Sequence, residues 1–295
     1  MLYCEAKLHR AGLANRLFPW ARCCIYAHEH GIPMLSPTWV QVPIGTLLRR
    51  EKDLRTYTNL FAPRAGEISG LRRRLVRLTA RRIPEPPTLS SAIAPASGTQ
   101  LIVFEGMTGQ LEPLEGRHDL VRRELISMTR PIWRQQAEAI AGPFIGLHVR
   151  CGDFQRPAPG TDFAITDNMS TPIEWFVATL KAVRARLTSP LFAIVTSDGR
   201  PGELCALLDL DNVRLVEGGS AISDLLLLSR AKVLLASGSS FSAWASYLGQ
   251  MPTLTHPGQS LSRLFRLQGT SDHFVGEVEP EKLPRALEDC LARVR

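Results

Sequence analysis

The sequence predicts an α/β protein of two domains, and two observations carry that prediction. In the second half of the chain, short apolar segments alternate with segments of helical length. This alternation is typical of βαβ units joined by right-handed crossovers in a parallel sheet. The chain also has 295 residues, about twice the length of an average domain. We therefore expect two α/β domains, residues 1–141 and 142–295, that face a cleft.

The first half begins with a short apolar strand over Leu2–Leu8. A helix is predicted from Arg16 to about His30, capped by Asn15, ended by Gly31 and with Pro19 in its first turn. The later elements of this half are a strand at Leu101–Phe104 and a helical region at Arg117–Ala141, interrupted at Pro131.

The second half is more regular. Its first strand, Pro143–Val149, precedes a helix that opens at Thr171 and Pro172, where a capping box with Glu174 combines with proline at the first helical position. Further strands are predicted at Leu191–Ser197, Val213–Val216, Lys232–Ala236 and Thr253–Thr255, and further helices at Pro201–Leu208, Ser223–Ala231, Ser239–Gly249 and Pro280–Val294.

The composition excludes several classes of protein. Hydrophobic residues make up 44% and charged residues 21% of the chain, as in an ordinary soluble enzyme and unlike a disordered or fibrous protein. The apolar runs are far shorter than the ~18 residues that span a bilayer. The six cysteines form no CxxC pair, and the first residues do not resemble a secretory signal. We therefore expect reduced thiols and a cytoplasmic protein.

The net charge of +7 is concentrated in one segment. Between Arg49 and Arg82, eleven Lys or Arg residues stand against three acids. The densest part is Leu71–Arg82, in which Leu71, Leu75 and Leu78 recur at helical spacing among the arginines of 72–82. Such a helix can lie on anionic headgroups, line a groove for a polyanion, or turn its leucines to the core and its arginines to solvent. We expect no nucleic-acid binding, because the segment lacks interleaved aromatic residues.

Open α/β sheets bind ligands beyond the carboxyl ends of their strands, and three strand-to-helix transitions have this form. At Gly12–Asn15 a glycine lets the backbone approach an anion, and a helix start presents N–H groups. An ordinary turn before a helix is the alternative, since the GxGxxG fingerprint is missing. The second transition contains His148 and Arg150, which share one face of a strand. A guanidinium there suits a diphosphate, and the alternative is a structural salt bridge between Arg150 and Asp153.

The third transition runs from a buried strand through Gly238 into hydroxyls at 239, 240 and 242. It offers N–H and hydroxyl donors to phosphate oxygens, or simply a serine-rich helix cap. Asp198 ends another strand, where a carboxylate suits the N–H groups of a purine or a ribose hydroxyl. No HExxH motif is present, and we expect no metal site.

Together these segments resemble the bacterial α-1,2-fucosyltransferases. HVRCGD at 148–153 is similar to their His-x-Arg-Arg-x-Asp motif, and AGLANRLF at 11–18 resembles their Gly-x-Gly-Asn-Gln opening. TSDG at 196–199 resembles their acidic motif, and DLLLLS at 224–229 followed by SGSSFSAW at 237–244 resembles their terminal block. The order also matches the wider superfamily of α-1,6- and protein-O-fucosyltransferases.

The resemblance implies a GT-B-like fold of two Rossmann-like domains, with residues 1–141 on the acceptor side and 142–295 binding the nucleotide sugar. It implies an inverting, metal-independent transfer of fucose, or a related deoxyhexose, from GDP-fucose to a glycan or lipid-linked acceptor. No cofactor is implied beyond this donor. A lipid-linked acceptor agrees with peripheral membrane contact through Arg72–Arg82.

The implied roles carry over by position. Arg150 holds the β-phosphate, His148 and Asp198 contact the guanosine, and Gly12 and Asn15 face the diphosphate and sugar. Closure over the nucleotide falls to Ser239, Ser240 and Phe241.

Two residues depart from the family pattern. Cys151 replaces the second arginine of the motif, and Ala14 replaces the second glycine of the opening. The loss of one cation leaves open a non-catalytic nucleotide-sugar or polyanion-binding protein. For a catalytic protein, an inverting displacement needs a general base. Asp153 is the candidate base, with Asp162 and Asp167 as alternatives.

Overall fold

The computed structural model describes residues 1–40, 56–94, 96–152, 154–158, 160–166, 168–261 and 274–294. It divides into two units, one holding the described residues up to Arg134 and the other those from Gln135 onward. Each unit is built on a sheet whose paired strands are all parallel. The predicted α/β class with parallel sheets is therefore confirmed.

The first unit has a four-stranded sheet in the order β2-β1-β4-β3. Helix α1 follows β1 and packs against β1 and β4. In chain order the elements are β1 (Leu2–Lys7), α1 (Leu13–His30), β2 (Met34–Leu35), α2 (Gly70–Thr79), β3 (Arg81–Pro84), β4 (Gln100–Glu105), a 3₁₀ turn (Glu112–Leu114), α3 (His118–Met128) and α4 (Pro131–Glu138).

Helix α1 begins earlier than the sequence predicts. Gly12 is its N-cap residue, and Asn15 therefore lies inside the first turn and not at the cap. The helix extends to Leu13 because Leu13 and Ala14 are both buried and pack as helical residues. Pro19 lies beyond the first turn, where it contributes no N–H to the helical ladder. The predicted end is correct, since Gly31 adopts φ 63° as the C-cap.

The arginine-rich helix is shorter than predicted, and its leucines face outward. It ends at Thr79, and Arg81 and Arg82 belong to strand β3. The sequence left three arrangements of this helix possible. The one with the leucines facing the core is wrong, because Leu71, Leu75 and Leu78 are exposed.

The second unit has a six-stranded sheet in the order β10-β9-β8-β5-β6-β7. In chain order its elements after α4 are β5 (Phe144–Val149), α5 (Ile173–Arg184), β6 (Phe192–Ser197), a 3₁₀ turn (Pro201–Glu203), α6 (Cys205–Leu208), β7 (Val213–Leu215), α7 (Ala221–Leu228), β8 (Val233–Ala236), α8 (Ser240–Gly249), β9 (Thr253–Thr255), β10 (Val275–Glu277) and α9 (Arg285–Leu291). The boundary between the two units lies within α4, between Arg134 and Gln135. The boundary predicted from the sequence, between 141 and 142, lies shortly after the end of that helix.

Two features of the second unit differ from the prediction. Pro172 is the N-cap of α5 and no side chain caps it, because the Thr171 hydroxyl instead donates to Gln259 Oε1 at 2.6 Å. The final helix covers only Arg285–Leu291, preceded by the short strand β10 that the sequence did not indicate.

Strand β5 lies in the centre of this sheet, and all six of its residues are buried. Ile145, Leu147 and Val149 belong to a core cluster with Phe176 and Leu180 of α5. Because both faces are covered, the strand consists almost entirely of apolar residues, as expected for a parallel sheet.

Gly146 gives a test of this packing. A Cβ on Gly146 would lie 2.9 Å from Cβ of Ala231 and 3.2 Å from Cδ2 of Leu228. We expect Gly146→Ala to lower the free energy of unfolding by about 1–3 kcal/mol through overpacking, as measured by urea denaturation. Gly202→Ala is the control, since a Cβ there meets nothing within 4 Å. Equal stability of the two variants would contradict the described packing.

Candidate functional site

The candidate site lies at the carboxyl end of β5, where the strand order of the second unit reverses. The chain leaves β5 toward β6 and β7 on one side and later returns to β8 on the other. Such a switch point opens a crevice in which α/β proteins bind ligands. His148 lies in β5 and Arg150 directly follows it, Asp198 follows β6, and Ser237 to Ser239 join β8 to α8. The structure therefore gathers these predicted residues at one sheet edge.

His148 is a buried, neutral side chain. Its Nδ1 lies 2.7 Å from Ser242 Oγ, and its ring stacks on Phe241 with centroids 4.8 Å apart. Burial and, secondarily, the nearby positive charge of Arg150 lower the pKa of His148 to about 4, while Asp198 opposes that shift. At neutral pH the ring is therefore an uncharged, fixed surface.

Arg150 forms an ion pair with Asp198 through Nη1 and Oδ2. Its guanidinium carbon also lies 5.5 Å from the centre of the Phe154 ring. The two charged side chains are partly open to solvent, at 21% and 28% exposure. The cation is therefore oriented by several contacts yet stays accessible. The predicted alternative partner, Asp153, lies outside the described residues.

The Asp198 carboxylate is anchored by the chain that follows Arg150. Its Oδ1 accepts hydrogen bonds from the backbone N–H of Cys151 at 2.8 Å and of Gly152 at 3.1 Å. A Cβ on Gly152 would lie 2.3 Å from Asp198 Oδ2, so glycine is required for this approach. In this structure the acid that we expected to contact guanosine therefore also holds the turn after β5.

The serine-rich turn joins β8 to β5 through a residue that sequence reasoning missed. Ser237 Oγ donates to the carbonyl of His148 at 2.9 Å and accepts from the N–H of Arg150 at 2.9 Å. This hydroxyl fixes the backbone between the two site residues. Its place at the start of the SGSSFS run was the available signal.

Ser239 is the N-cap of α8, as the alternative for this turn predicted. Its Oγ accepts from the N–H of Ser242 at 3.3 Å. The first turn of α8 then contains Ser240 and Phe241, whose backbone N–H groups lie at the positive end of the helix dipole. The serine cap accepts from one backbone N–H group of the first turn. A helix start that is capped in this way can therefore still donate other N–H groups to a phosphate.

Gln259 is a second missed residue. Its Nε2 donates to the carbonyl of Met169 at 2.8 Å, while its Oε1 accepts from Thr171. A Cβ on Gly238 would lie 3.0 Å from Cβ of Gln259. This buried amide therefore ties the chain before α5 to the glycine turn. Nothing in the local sequence distinguishes it from other glutamines.

The thiol of Cys151 is half-buried and packs against Gly199, where a Cβ would lie 2.8 Å from its Sγ. Burial, with a contribution from Asp198, raises the pKa of Cys151. The position therefore holds a neutral thiol at pH 7 and not a second cation.

Of the three acids predicted as a general base, Asp162 is the one within the described residues. Asp162 is exposed and its Oδ1 accepts from the N–H of Ala164 at 2.9 Å, within its own turn. Asp153 and Asp167 lie outside the described residues. Within the described ranges, no group of three or more His, Cys, Asp or Glu side chains is placed to hold a metal ion.

The predicted Gly12–Asn15 segment belongs to the first unit, at the start of α1. The neighbouring residue Arg16 is buried and was missed. Its guanidinium donates to the carbonyls of Thr38, at 2.8 Å, and Trp39, and burial lowers its pKa to about 10. Arg16 therefore fixes the segment after β2 against the helix start.

The sequence matches the model of glycosyl transferase family 11 over residues 106–259, which is more than half of the chain. The chain belongs to glycosyl transferase family 11. The matched range includes every site residue of the second unit named above. The resemblance drawn from the motifs is thereby confirmed, and the protein is a fucosyltransferase-like glycosyltransferase. No curated protein matches the sequence.

Solved structures show the same fold as this family 11 glycosyltransferase. NodZ α-1,6-fucosyltransferase soaked with GDP-fucose has a TM-score of 0.54 at 16% identity, over 89% of this chain and 96% of that chain. NodZ from Bradyrhizobium, as the Se-Met protein, gives 0.54 at 16% identity, over 84% and 92%. POFUT1 in complex with GDP-fucose gives 0.52 at 11% identity, over 86% and 97%. The predicted GT-B-like fold is confirmed.

The lowered pKa of His148 predicts a pH-dependent stability. A histidine in the unfolded chain titrates near 6.5, so between about pH 4 and 6.5 the unfolded state binds a proton that the folded state does not. Stability should therefore fall as pH is lowered through this window, by up to about 3 kcal/mol from this group. Urea unfolding at several pH values should show a shallower slope for His148→Gln than for the wild type. Parallel slopes would exclude a buried neutral His148.

Proposed function

We propose that this glycosyltransferase transfers fucose, or a related deoxyhexose, from GDP-fucose to a hydroxyl of a glycan or lipid-linked oligosaccharide. The observation that carries the proposal is an oriented, accessible Arg150 beside a neutral His148 at the switch point of the sheet. Structures of NodZ and POFUT1, which share the fold, were obtained with GDP-fucose. Their likeness supports the donor.

Arg150 is proposed to bind the β-phosphate. A guanidinium is permanently charged and pairs with two phosphate oxygens at once. In the structure it pairs with Asp198, so a diphosphate takes over a cation that is already oriented. Little side-chain entropy is then lost on binding, since the contacts to Asp198 and Phe154 restrict the side chain beforehand.

The guanosine is proposed to lie against His148 and Asp198. The stacked rings of His148 and Phe241 supply a flat surface, and a neutral imidazole adds no repulsion to the cation beside it. A carboxylate accepts from both N–H groups on the edge of guanine, which uracil and thymine lack. We propose that Asp198 exchanges its contact with Arg150 for this edge.

The chemistry is proposed to be an inverting displacement without a metal. The charge that develops on the departing diphosphate is stabilised by Arg150 and by the first turn of α8, with Ser239 and Ser240 closing over the nucleotide. Asp153 remains the proposed base from its place in the motif. Gly12 and Asn15 remain proposed contacts of the diphosphate and sugar, with residues 1–141 as the acceptor side.

Cys151 favours a second candidate, a protein that binds the nucleotide sugar without turnover. The residue supplies a neutral thiol where the family motif has arginine. Of the two arginine positions in the family motif, position 150 alone then supplies a cation to stabilise the leaving group. The two candidates differ in turnover, because each of them binds the donor.

A nucleotide panel tests the donor class. The measurements are made with excess chelator, so that no free divalent metal is present. GDP at a hundred times its dissociation constant should then stabilise the protein by about 2.7 kcal/mol. UDP, dTDP and CMP at the same concentration should give smaller shifts of the melting temperature. Equal shifts would remove guanine selectivity, and a response that needs Mg²⁺ would contradict a metal-free site. Binding of GDP-fucose with neither transfer to a glycan nor hydrolysis would favour the second candidate.

Arg150→Ala tests the role of the guanidinium. We expect kcat/KM for GDP-fucose to fall about a thousandfold, or ~4 kcal/mol of transition-state stabilisation. Arg156→Ala is the matched control, because Arg156 is an exposed arginine of the same loop that pairs with Glu203 at 2.7 Å. Activity of Arg150→Ala equal to that of the control would remove Arg150 from the mechanism. Urea unfolding of both variants separates this effect from misfolding.

A further inference from the structure

Helix α2 turns its three leucines outward. Leu71, Leu75 and Leu78 have exposures of 81%, 61% and 85%. Their spacing of i, i+4 and i+7 places them on one face of the helix. Three neighbouring leucines this exposed form a contiguous apolar surface, which we call the leucine face. Surfaces of this kind in soluble proteins mark an interaction site.

The inner side of α2 explains why the leucines face outward. Val76 is the buried residue of the helix and packs in a cluster with Tyr3, Leu35 and Leu101. Two arginines flank it on the inner side. Arg77 pairs with Glu5 at 2.9 Å, and Arg73 donates to the Thr38 hydroxyl at 2.6 Å.

The leucine face is bordered by positive charge. Arg74 is exposed on the helix beside the leucines, and Arg81 and Arg82 are exposed just after its end. Anionic lipid headgroups complement such a rim, while the acyl region below them accommodates leucine. Among the described residues, no helix is both long and apolar enough to cross a membrane. An amphipathic helix with an apolar face and a basic rim lies along the surface of a bilayer.

We propose that α2 docks this protein on an anionic lipid surface. Leu71, Leu75 and Leu78 enter the boundary between headgroups and acyl chains, and Arg74, Arg81 and Arg82 contact lipid phosphates. The surface concerned is the cytoplasmic face of a membrane, in line with the localisation expected from the sequence. This inference is independent of the proposed donor, because it involves a different part of the chain.

Vesicle co-sedimentation of the full chain tests the leucine face. Wild-type protein should bind vesicles of phosphatidylcholine with one-third phosphatidylglycerol, and bind pure phosphatidylcholine at least tenfold more weakly. The triple variant Leu71→Gln/Leu75→Gln/Leu78→Gln should lose at least tenfold in partition to the anionic vesicles. Ile132→Gln, which changes an exposed apolar residue of α4, is the matched control and should bind as the wild type does.

A second arm tests the charged rim. Arg74→Gln/Arg81→Gln/Arg82→Gln should weaken binding by about fivefold per charge, or about a hundredfold in total at low salt. High salt should reduce wild-type binding in the same direction. Arg285→Gln removes an exposed arginine elsewhere and should have no effect. Unchanged melting temperatures show that the variants remain folded.

Several results would overturn the proposal. The proposal is excluded if the wild-type protein does not bind anionic vesicles. It is also excluded if the triple leucine variant binds them as strongly as the wild type does. A second copy of the chain could also cover the leucine face. Sedimentation velocity tests this alternative by measuring whether the protein is a monomer or a dimer. A wild-type dimer that the leucine variant converts to monomer, with no vesicle binding by either, would assign the face to self-association.

Discussion

The central position of β5 determines the arrangement of the site. This strand pairs in parallel with β6 on one side and β8 on the other, so the segments that leave all three strands meet at one edge. The Ser237 hydroxyl then joins the backbone of His148 and Arg150 to the turn after β8, and Asp198 holds the turn after β5 from the β6 side. The position of each candidate side chain is thus set by the pairing of its strand and then by its own hydrogen bonds. A shift of β5 by one residue would exchange which side chains face each layer.

Much of the fold follows from the sequence because its signals are local. Buried parallel strands are continuous apolar runs, and the regular second half gave most of its strands to within one or two residues. The elements that were missed are short. β2 has two residues, and none of the three residues of β10 is buried, so neither carries a periodic pattern. The start of α1 was misplaced because the burial of Leu13 and Ala14, a tertiary effect, outweighs the capping preference of Asn15.

The sequence singled out residues that the structure brings together, but not the contacts that hold them. Strand alternation and the family motif singled out His148, Arg150 and Asp198. The pairing of Arg150 with Asp198 joins residues on different strands, and the anchoring by Ser237 and Gln259 depends on how the turns pack, which no spacing rule encodes. Helix α2 shows the same limit. Its pattern revealed two faces, but the side that packs inward is decided by Glu5 and the Val76 cluster of the sheet.

The ion pair between Arg150 and Asp198 also affects how an anion binds at this end of the sheet. Its guanidinium carries an internal counter-ion, and that carboxylate is itself fastened by two peptide groups. An anion that pairs with the guanidinium must therefore displace a carboxylate that the backbone holds in place. This displacement leaves the carboxylate without its cation, which costs free energy unless the ligand also donates hydrogen bonds to it.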